Sequence, residues 1–248
     1  MIDPALYFIL PLALAAFFLK GLATFGAAIV LVPLAALVVG VKEIVLVMAF
    51  LDLISNAMLY RPRKSHFRDP YLIGMTLLMM VGVAIGGLLL RFLPADQFKL
   101  IFAAILIPLG FFMIVTSFFK PVITQANEAP HKSSRLDRGI ALASGCMGGL
   151  SGLTGPVLAW YLNLRFSKQV FRDIMIPLLL VSACARLLTY GISGAFEASI
   201  IPIVLLAIPG LLIGTWLGNR LFFKISQQWF GVVIGALISA SGVKLLTR

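Results

Sequence analysis

The amino-acid sequence predicts an all-α polytopic membrane protein built from two inverted repeats. Hydrophobic residues make up 61% of the 248-residue chain and charged residues only 12%, a balance that is typical of membrane proteins rather than soluble domains. The chain contains several apolar stretches of the ~20 residues that a helix needs to cross a bilayer. Its two halves also resemble each other on either side of a polar segment at 120–138.

The order of the predicted elements is the same in both halves. The first half begins with apolar residues 5–39, which are interrupted at Lys20–Gly21 and so predict two short legs, 5–19 and 22–39. The second half begins with apolar residues 139–162. Each half is thus predicted to be one broken or re-entrant helical hairpin plus three transmembrane helices. These spans are 43–60, 71–93 and 98–119 in the first half, and 170–191, 199–220 and 229–246 in the second.

An internal repeat supports this division. FLDLISNAMLY at 50–60 aligns without gaps on LVSACARLLTY at 180–190, and GVAIG at 82–86 matches GLLIG at 210–214. We therefore predict a single membrane domain. Its parts are repeat 1 at 1–119, a cytoplasmic linker at 120–138 and repeat 2 at 139–248.

Small residues crowd the middle of segment 139–162. Glycine weakens a helix and proline removes one of its hydrogen bonds, so the helix should break near Gly149–Pro156. One interpretation is a single kinked span in which the small residues allow close packing. The other is a re-entrant hairpin whose tip forms a binding site, because irregular backbone at membrane depth is tolerated only where protein buries it or a polar cavity adjoins it.

The distribution of basic residues favours the hairpin. With a hairpin at 139–162, the predicted cytoplasmic loops carry thirteen Lys and Arg residues and the outer side five; with a single span the numbers become ten and eight. Cytoplasmic loops are normally the basic ones. A hairpin plus three spans crosses the membrane an odd number of times, so the two halves would have opposite orientations, as in many secondary transporters.

The predicted hairpin tip offers the chemistry of an anion site. Free N–H groups and the positive end of the helix dipole favour anions at a helix N-terminus, and glycines allow a close approach to the backbone. Hydroxyl groups add further donors. The residues concerned are Ser151, Gly152, Thr154 and Gly155, with Thr24 and Gly26 at the same place in the first half. We expect the anion between the two tips.

Two ionisable side chains lie inside predicted spans. Asp52 is central in its span with Asn56 one turn away, and an intramembrane carboxylate is a candidate for proton or cation coupling; a structural ion pair with Arg186 is the alternative. Arg186 shares a helix face with Ser182 and offers a fork suited to oxyanions, or it reaches the interface by snorkelling. Tyr190 is expected among the interfacial aromatic residues.

Several classes of function lack support in the sequence. The formal charge of +11 resides mainly in short loops, which is the pattern of membrane topology rather than of nucleic-acid binding. The nucleotide-binding, metalloprotease and hydrolase motifs are missing, so we expect neither an enzyme nor a cofactor or metal site. The first residues, MIDPALYFIL, have no basic n-region, and we interpret them as part of the first helix rather than as a signal peptide.

Three motifs resemble the sulfite exporter TauE/SafE family, also called the toluene-sulfonate uptake permease family. They are FGAAIVLVPL at 25–34, GGLSGLTGPVLAWYL at 148–162 with KQVFRDIMI at 168–176, and GLLIGTWLGNRL at 210–221. The first motif is usually richer in glycine than it is here, where Ala27 and Ala28 stand. The resemblance extends over nearly the whole chain. It implies a secondary transporter of the bacterial inner membrane for sulfite, thiosulfate or organosulfonates.

The residues alone leave other functions open. A carrier for another small solute would use Asp52 to bind a cation, and a membrane scaffold would account for the few polar residues in the spans. The internal repeat argues against the scaffold, which has no need of two-sided symmetry. The expected partners are a small anion and the lipid bilayer, not nucleic acid, and the coupling ion, the direction of transport and the oligomeric state, including a homo-oligomer, stay open.

Overall fold

The protein is helical throughout the part of the chain that is described. The computed structural model describes residues 8–36, 38–60, 70–94, 135–163, 166 and 168–221, with isolated positions between 97 and 115 and at 243. Within these ranges there are eight α-helices and no strand, which confirms the predicted all-helical class. The helices are α1 (Ile9–Ala23), α2 (Ala27–Ala35), α3 (Val41–Leu59), α4 (Pro70–Phe92), α5 (Arg135–Ser151), α6 (Gly155–Asn163), α7 (Lys168–Ile192) and α8 (Ile200–Leu221).

Three of these helices have the length and apolar composition needed to cross a membrane. They are the apolar parts of α4, α7 and α8, at Leu72–Phe92, Val170–Ile192 and Ile200–Leu221, close to the predicted spans. Helix α3 coincides with the predicted span 43–60 to within two residues. The predicted spans 98–119 and 229–246, and linker residues 120–134, lie outside the described ranges. The inverted orientation of the two halves stays a prediction.

The order of the helices repeats. In each half a pair of shorter helices, separated by three residues, precedes two long ones. The second helix of each pair, α2 or α6, has nine residues. At ~1.5 Å per residue such a helix is roughly 14 Å long, less than half of a ~30 Å hydrocarbon core. Neither α2 nor α6 can cross a bilayer alone.

The first break lies later than the sequence suggested. Helix α1 continues through Lys20 and Gly21 and ends at Ala23, and Thr24 and Gly26 both have positive φ, 77° and 105°. The prediction of a break at Lys20–Gly21 was therefore wrong. Gly21 serves helix packing instead, because a Cβ there would lie 2.7 Å from the Thr215 carbonyl oxygen of α8.

The second break lies where it was predicted. Helix α5 begins at Arg135, within the predicted linker, and ends at Ser151, while α6 begins at Gly155. Between them Gly152 has φ +78°, a conformation that suits glycine. Pro156 is in the first turn of α6, where its missing N–H costs no helical hydrogen bond.

The chain reverses direction at this break. A side chain at Gly148 would overlap the hydroxyl of Thr154, although Thr154 is six positions further along the chain. At the other end of the pair, the Tyr161 hydroxyl donates a hydrogen bond to Oδ1 of Asp137, which is 24 positions earlier in the chain. The start of α5 and the end of α6 therefore lie side by side, and a continuous kinked helix is excluded for this segment.

The helices form two compact units, each of which combines elements from both halves of the sequence. The first contains α1, α2, the first part of α3 and α8, and the second contains the rest of α3 with α4 to α7. In the second unit, Cβ atoms added to Gly82 and Gly86 of α4 would overlap the carbonyl oxygens of Leu142 and Cys146 in α5. The two helices thus approach backbone to backbone.

The first unit contains the corresponding contact. Cβ atoms added to Gly210 and Gly214 of α8 would overlap the carbonyl oxygens of Leu10 and Leu14 in α1. These glycines are the ones that align with Gly82 and Gly86 in the sequence repeat. Small residues allow such close approach of membrane helices. In each unit, the second long helix of one half therefore packs on the first short helix of the other half.

Candidate functional site

One face of α7 carries three polar side chains that contact three different parts of the second unit. Ser182, Arg186 and Tyr190 are spaced four residues apart and so lie above one another on the helix. All three are buried, with 0%, 2% and 0% of their surface exposed. Sequence reasoning placed Ser182 and Arg186 in one site, and the structure places them on one buried helix face.

Arg186 pairs with Asp52. Its Nη2 lies 2.6 Å from Asp52 Oδ2, and the two side chains are 2% and 10% exposed. The guanidinium is therefore enclosed by protein rather than extended to an interface, which answers the snorkelling alternative. Removing one partner of such a buried pair leaves an uncompensated charge, so loss of either side chain alone should destabilise the protein.

The pair leaves part of the guanidinium unused. Arg186 Nε and Nη1 are buried and have no hydrogen-bond partner among the described residues. Buried N–H groups normally have a partner, since leaving them unsatisfied costs free energy. A guanidinium from which a carboxylate takes only one Nη2 hydrogen still has N–H donors with which to bind an oxyanion.

Asn56 extends the site along α3. It lies one turn beyond Asp52 on the same face and is 1% exposed. Its Oδ1 is also buried without a hydrogen-bond partner in the described ranges. Ser55 faces its own helix, since its hydroxyl donates to the Asp52 carbonyl oxygen at 3.2 Å. The predicted set Asp52, Asn56 and Arg186 thus includes two side chains with unused hydrogen-bonding atoms.

The break between α5 and α6 adjoins the same face of α7. Thr154 Oγ1 and Ser182 Oγ are 3.0 Å apart and share a hydrogen bond. Ser182 is one turn from Arg186, so the residue that precedes α6 contacts α7 one turn from the backbone position of Arg186. The first N–H groups of α6 have no partner within the helix, and they form the positive end of its dipole.

Other tip residues have structural tasks. The Ser151 hydroxyl donates to the Met147 carbonyl oxygen at 2.7 Å, so its proton is already used within α5. Gly152 and Gly155 are buried, as the whole tip is. Gly152 provides the positive φ that the reversal needs, and its N–H donates to the Gly148 carbonyl oxygen at 2.8 Å.

Tyr190 is not an interfacial residue. It is completely buried, and its hydroxyl donates a hydrogen bond to the carbonyl oxygen of Gly149 near the end of α5. The last carbonyl groups of a helix have no partner within it, so this hydroxyl satisfies one of them. Tyr190 was predicted to be interfacial because it lies near the end of a span. This prediction was wrong because the distance from a helix end does not reveal which face of the helix the side chain occupies.

Thr24 and Gly26 belong to the other compact unit. Thr24 is 0% exposed and its hydroxyl is buried without a partner among the described residues. Its positive φ is unusual for a β-branched residue, and strained backbone of this kind concentrates at functional sites. That the two tips bind one anion together stays a prediction.

Sequence reasoning missed two buried charged residues. Asp137 was assigned to a polar linker but is 0% exposed and bonded to Tyr161. Lys20 was read as an interruption but is 2% exposed within α1, with its Nζ 5.6 Å from the centre of the Phe17 ring. Nothing in the sequence indicated that Asp137 is buried, since it lies among basic and polar residues.

A helical membrane protein in which a broken helix lies next to buried charged residues has the architecture that is common in secondary transporters. A comparison with protein-family models matches residues 9–245 to "Sulfite exporter TauE/SafE". The chain therefore belongs to the TauE/SafE family of transporters. Comparisons with curated proteins and with solved structures find no match.

Proposed function

We propose that the protein is a secondary transporter that moves small sulfur-containing anions, namely sulfite, thiosulfate or an organosulfonate, across the bacterial inner membrane with coupling to the proton gradient. The proposal extends the family assignment to substrate, driving force and location. It includes two halves of opposite orientation. The observation that carries it is the buried Arg186, whose Nη2 binds Asp52 while Nε and Nη1 have no hydrogen-bond partner among the described residues.

The surroundings of Arg186 suit an oxyanion. Nη2 has two hydrogens, and the one that Asp52 leaves free forms a two-pronged donor with either Nε or Nη1 that matches two oxygens of a tetrahedral or pyramidal anion. The Thr154–Ser182 hydrogen bond brings the residue that precedes α6 to the same face of α7. In a water-poor interior these donors replace the hydration that the anion loses. The substrate-binding residues of this unit are then Arg186, Ser182, Thr154, Gly155 and Asn56, with Gly152 and Ser151 shaping the tip.

Asp52 provides the coupling. An anion that binds the free N–H groups of Arg186 brings a negative charge close to the Asp52 carboxylate, which is 2.6 Å from the same guanidinium. Two negative charges around one buried cation favour protonation of the carboxylate. Anion binding and proton uptake would then occur together. The occupied site is electrically neutral when a singly charged anion and one proton are bound.

Transport into proteoliposomes tests the function directly. Purified protein is reconstituted, and uptake of ³⁵S-labelled sulfite and taurine is followed with and without an imposed pH gradient, with protein-free vesicles as the control. We expect saturable uptake above the control and a faster rate when the gradient is present. Absence of any protein-dependent flux of sulfur anions, under gradients of both signs, would overturn the proposed function.

A further inference from the structure

The buried site holds unsatisfied groups of two opposite kinds. Arg186 Nε and Nη1 are hydrogen-bond donors, whereas Asn56 Oδ1 is an acceptor, and all three lack a partner among the described residues. An anion that only accepts hydrogen bonds would satisfy the donors. It would leave the Asn56 acceptor buried and unpaired, which costs free energy.

The acceptor and the donors belong to the same neighbourhood. Asp52 and Asn56 are one turn apart on one face of α3, where Cβ atoms at this spacing are about 5–6 Å apart. Asp52 in turn contacts Arg186 directly. A ligand a few ångströms across at the free N–H groups of the guanidinium is therefore within reach of Asn56.

Charge adds a second, independent constraint. The Asp52 carboxylate already balances the Arg186 guanidinium, so the pair has no surplus positive charge. A bound dianion would leave the buried site with one more negative charge than a bound monoanion would. Buried net charge is costly in a low-dielectric interior, and the partial charge of one helix end is only about half a unit.

We propose that this site selects a singly charged oxyanion that carries its own hydrogen-bond donor. The inference rests on the proposed function, namely that an anion binds at Arg186, and it narrows the substrate class. Hydroxysulfonates, and hydrogensulfite in its O-protonated form, have the required combination. Thiosulfate and sulfate lack a donor and carry two charges.

The two ends of such a ligand have separate partners. The oxygens on sulfur accept hydrogen bonds from the free N–H groups of Arg186. The hydroxyl group donates to Asn56 Oδ1. Sites that hydrogen-bond a substrate hydroxyl discriminate strongly against analogues that lack it, because the buried group of the protein is then left unpaired.

A matched pair of sulfonates provides the test. 2-Hydroxyethanesulfonate and propane-1-sulfonate have the same charge and the same number of non-hydrogen atoms, and they differ in one donor. Their affinities for the purified protein are measured by isothermal titration calorimetry in detergent, with thiosulfate as the dianion. We expect 2-hydroxyethanesulfonate to bind roughly 5- to 150-fold more tightly than propane-1-sulfonate, and thiosulfate to bind least.

A substitution tests whether Asn56 causes the preference for 2-hydroxyethanesulfonate. Asn56→Leu, which keeps the volume and removes the acceptor, should abolish the preference while propane-1-sulfonate binds at least as well as before. Asn219→Leu, on α8 of the other unit, is the matched control and should keep the preference.

The outcomes separate the two proposals. Equal binding of the two sulfonates by the parent protein, or tighter binding of thiosulfate, would overturn this inference and leave the transport function intact. A preference that persists in Asn56→Leu would remove Asn56 from it and so overturn it as well. If no sulfur anion binds or moves, the proposed function fails and the inference fails with it.

Discussion

The Tyr161 hydroxyl donates a hydrogen bond to Asp137 and thereby joins the end of one short helix to the start of the preceding one. Both residues are buried, at 4% and 0% exposure. This contact lies at the base of the α5–α6 hairpin, whereas the break at Gly152 forms its tip. The side chains at the base therefore help to keep the tip in the position where Thr154 reaches α7.

Removing the Tyr161 hydroxyl should loosen the hairpin. Tyr161→Phe leaves the buried Asp137 carboxyl without this donor, and we expect a loss of about 1–3 kcal/mol in the free energy of unfolding. Thermal unfolding in detergent, followed by intrinsic fluorescence, measures it. An unfolding temperature equal to that of the parent would show that the bond contributes nothing to hairpin stability.

The close packing of α4 on α5 predicts different effects on stability for substitutions at two glycines of α4. A Cβ at Gly86 of α4 would overlap the backbone of α5, but a Cβ at Gly74 has no atom within 4 Å. Gly86→Ala should therefore destabilise the protein by about 1–3 kcal/mol through overpacking. Gly74→Ala, the matched control, should be neutral or stabilising by up to about 1 kcal/mol, because alanine is the better helix former. Equal unfolding temperatures for the two variants would contradict the packing.

The sequence predicted the helical class and the second break because these depend on local chemistry. Length and hydrophobicity set the long helices, and the cluster of glycines with Pro156 marked the break at Gly152. The first break was predicted a few residues too early because a charged residue followed by glycine, as at Lys20–Gly21, also resembles a helix end in sequence. Only the packing of Gly21 against Thr215 of α8 shows that this glycine belongs inside a helix.

The site was predictable as a set of residue types but not as a set of contacts. Intramembrane charge singled out Asp52 and Arg186, and sequence left pairing, snorkelling and substrate binding open. The distance of 2.6 Å shows that the two side chains are paired and the burial of Arg186 excludes snorkelling, while substrate binding stays a prediction. No local pattern indicates that Tyr190 reaches Gly149, or that Asp137 is buried, since these depend on which helix packs against which face.

The membrane topology makes a prediction about two serines that flank the α5–α6 hairpin in sequence. In a variant with Cys146 and Cys184 replaced by alanine, cysteines at positions 133 and 167, introduced as Ser133→Cys and Ser167→Cys, should be labelled from the same side of the membrane. An impermeant maleimide applied to intact cells and to inverted vesicles measures the side. Labelling from opposite sides would contradict a re-entrant hairpin and, with it, the opposite orientation of the two halves.

Asp52 should be needed for coupling rather than for insertion. Asp52→Asn keeps the shape and a hydrogen-bonding oxygen but cannot exchange a proton, so we expect anion exchange to continue while acceleration by a pH gradient is lost. Proteoliposome flux with and without the gradient measures both. Glu43→Gln, in the first turn of the same helix, is the control and should keep the acceleration. Gradient-driven transport at the parent rate in Asp52→Asn would remove Asp52 from the mechanism.

Anion affinity at position 186 tests the central claim most directly. A hydrogen bond to a charged group contributes roughly 1.5–3 kcal/mol, so Arg186→Ala should weaken binding about 10- to 150-fold. Arg186→Lys should restore only part of it, because lysine keeps the charge but not the fork. Arg220→Ala, an exposed arginine stacked on Trp216, is the control and should bind like the parent. Parent-like affinity in both Arg186 variants, measured by titration calorimetry on folded protein, would contradict an anion site at this guanidinium.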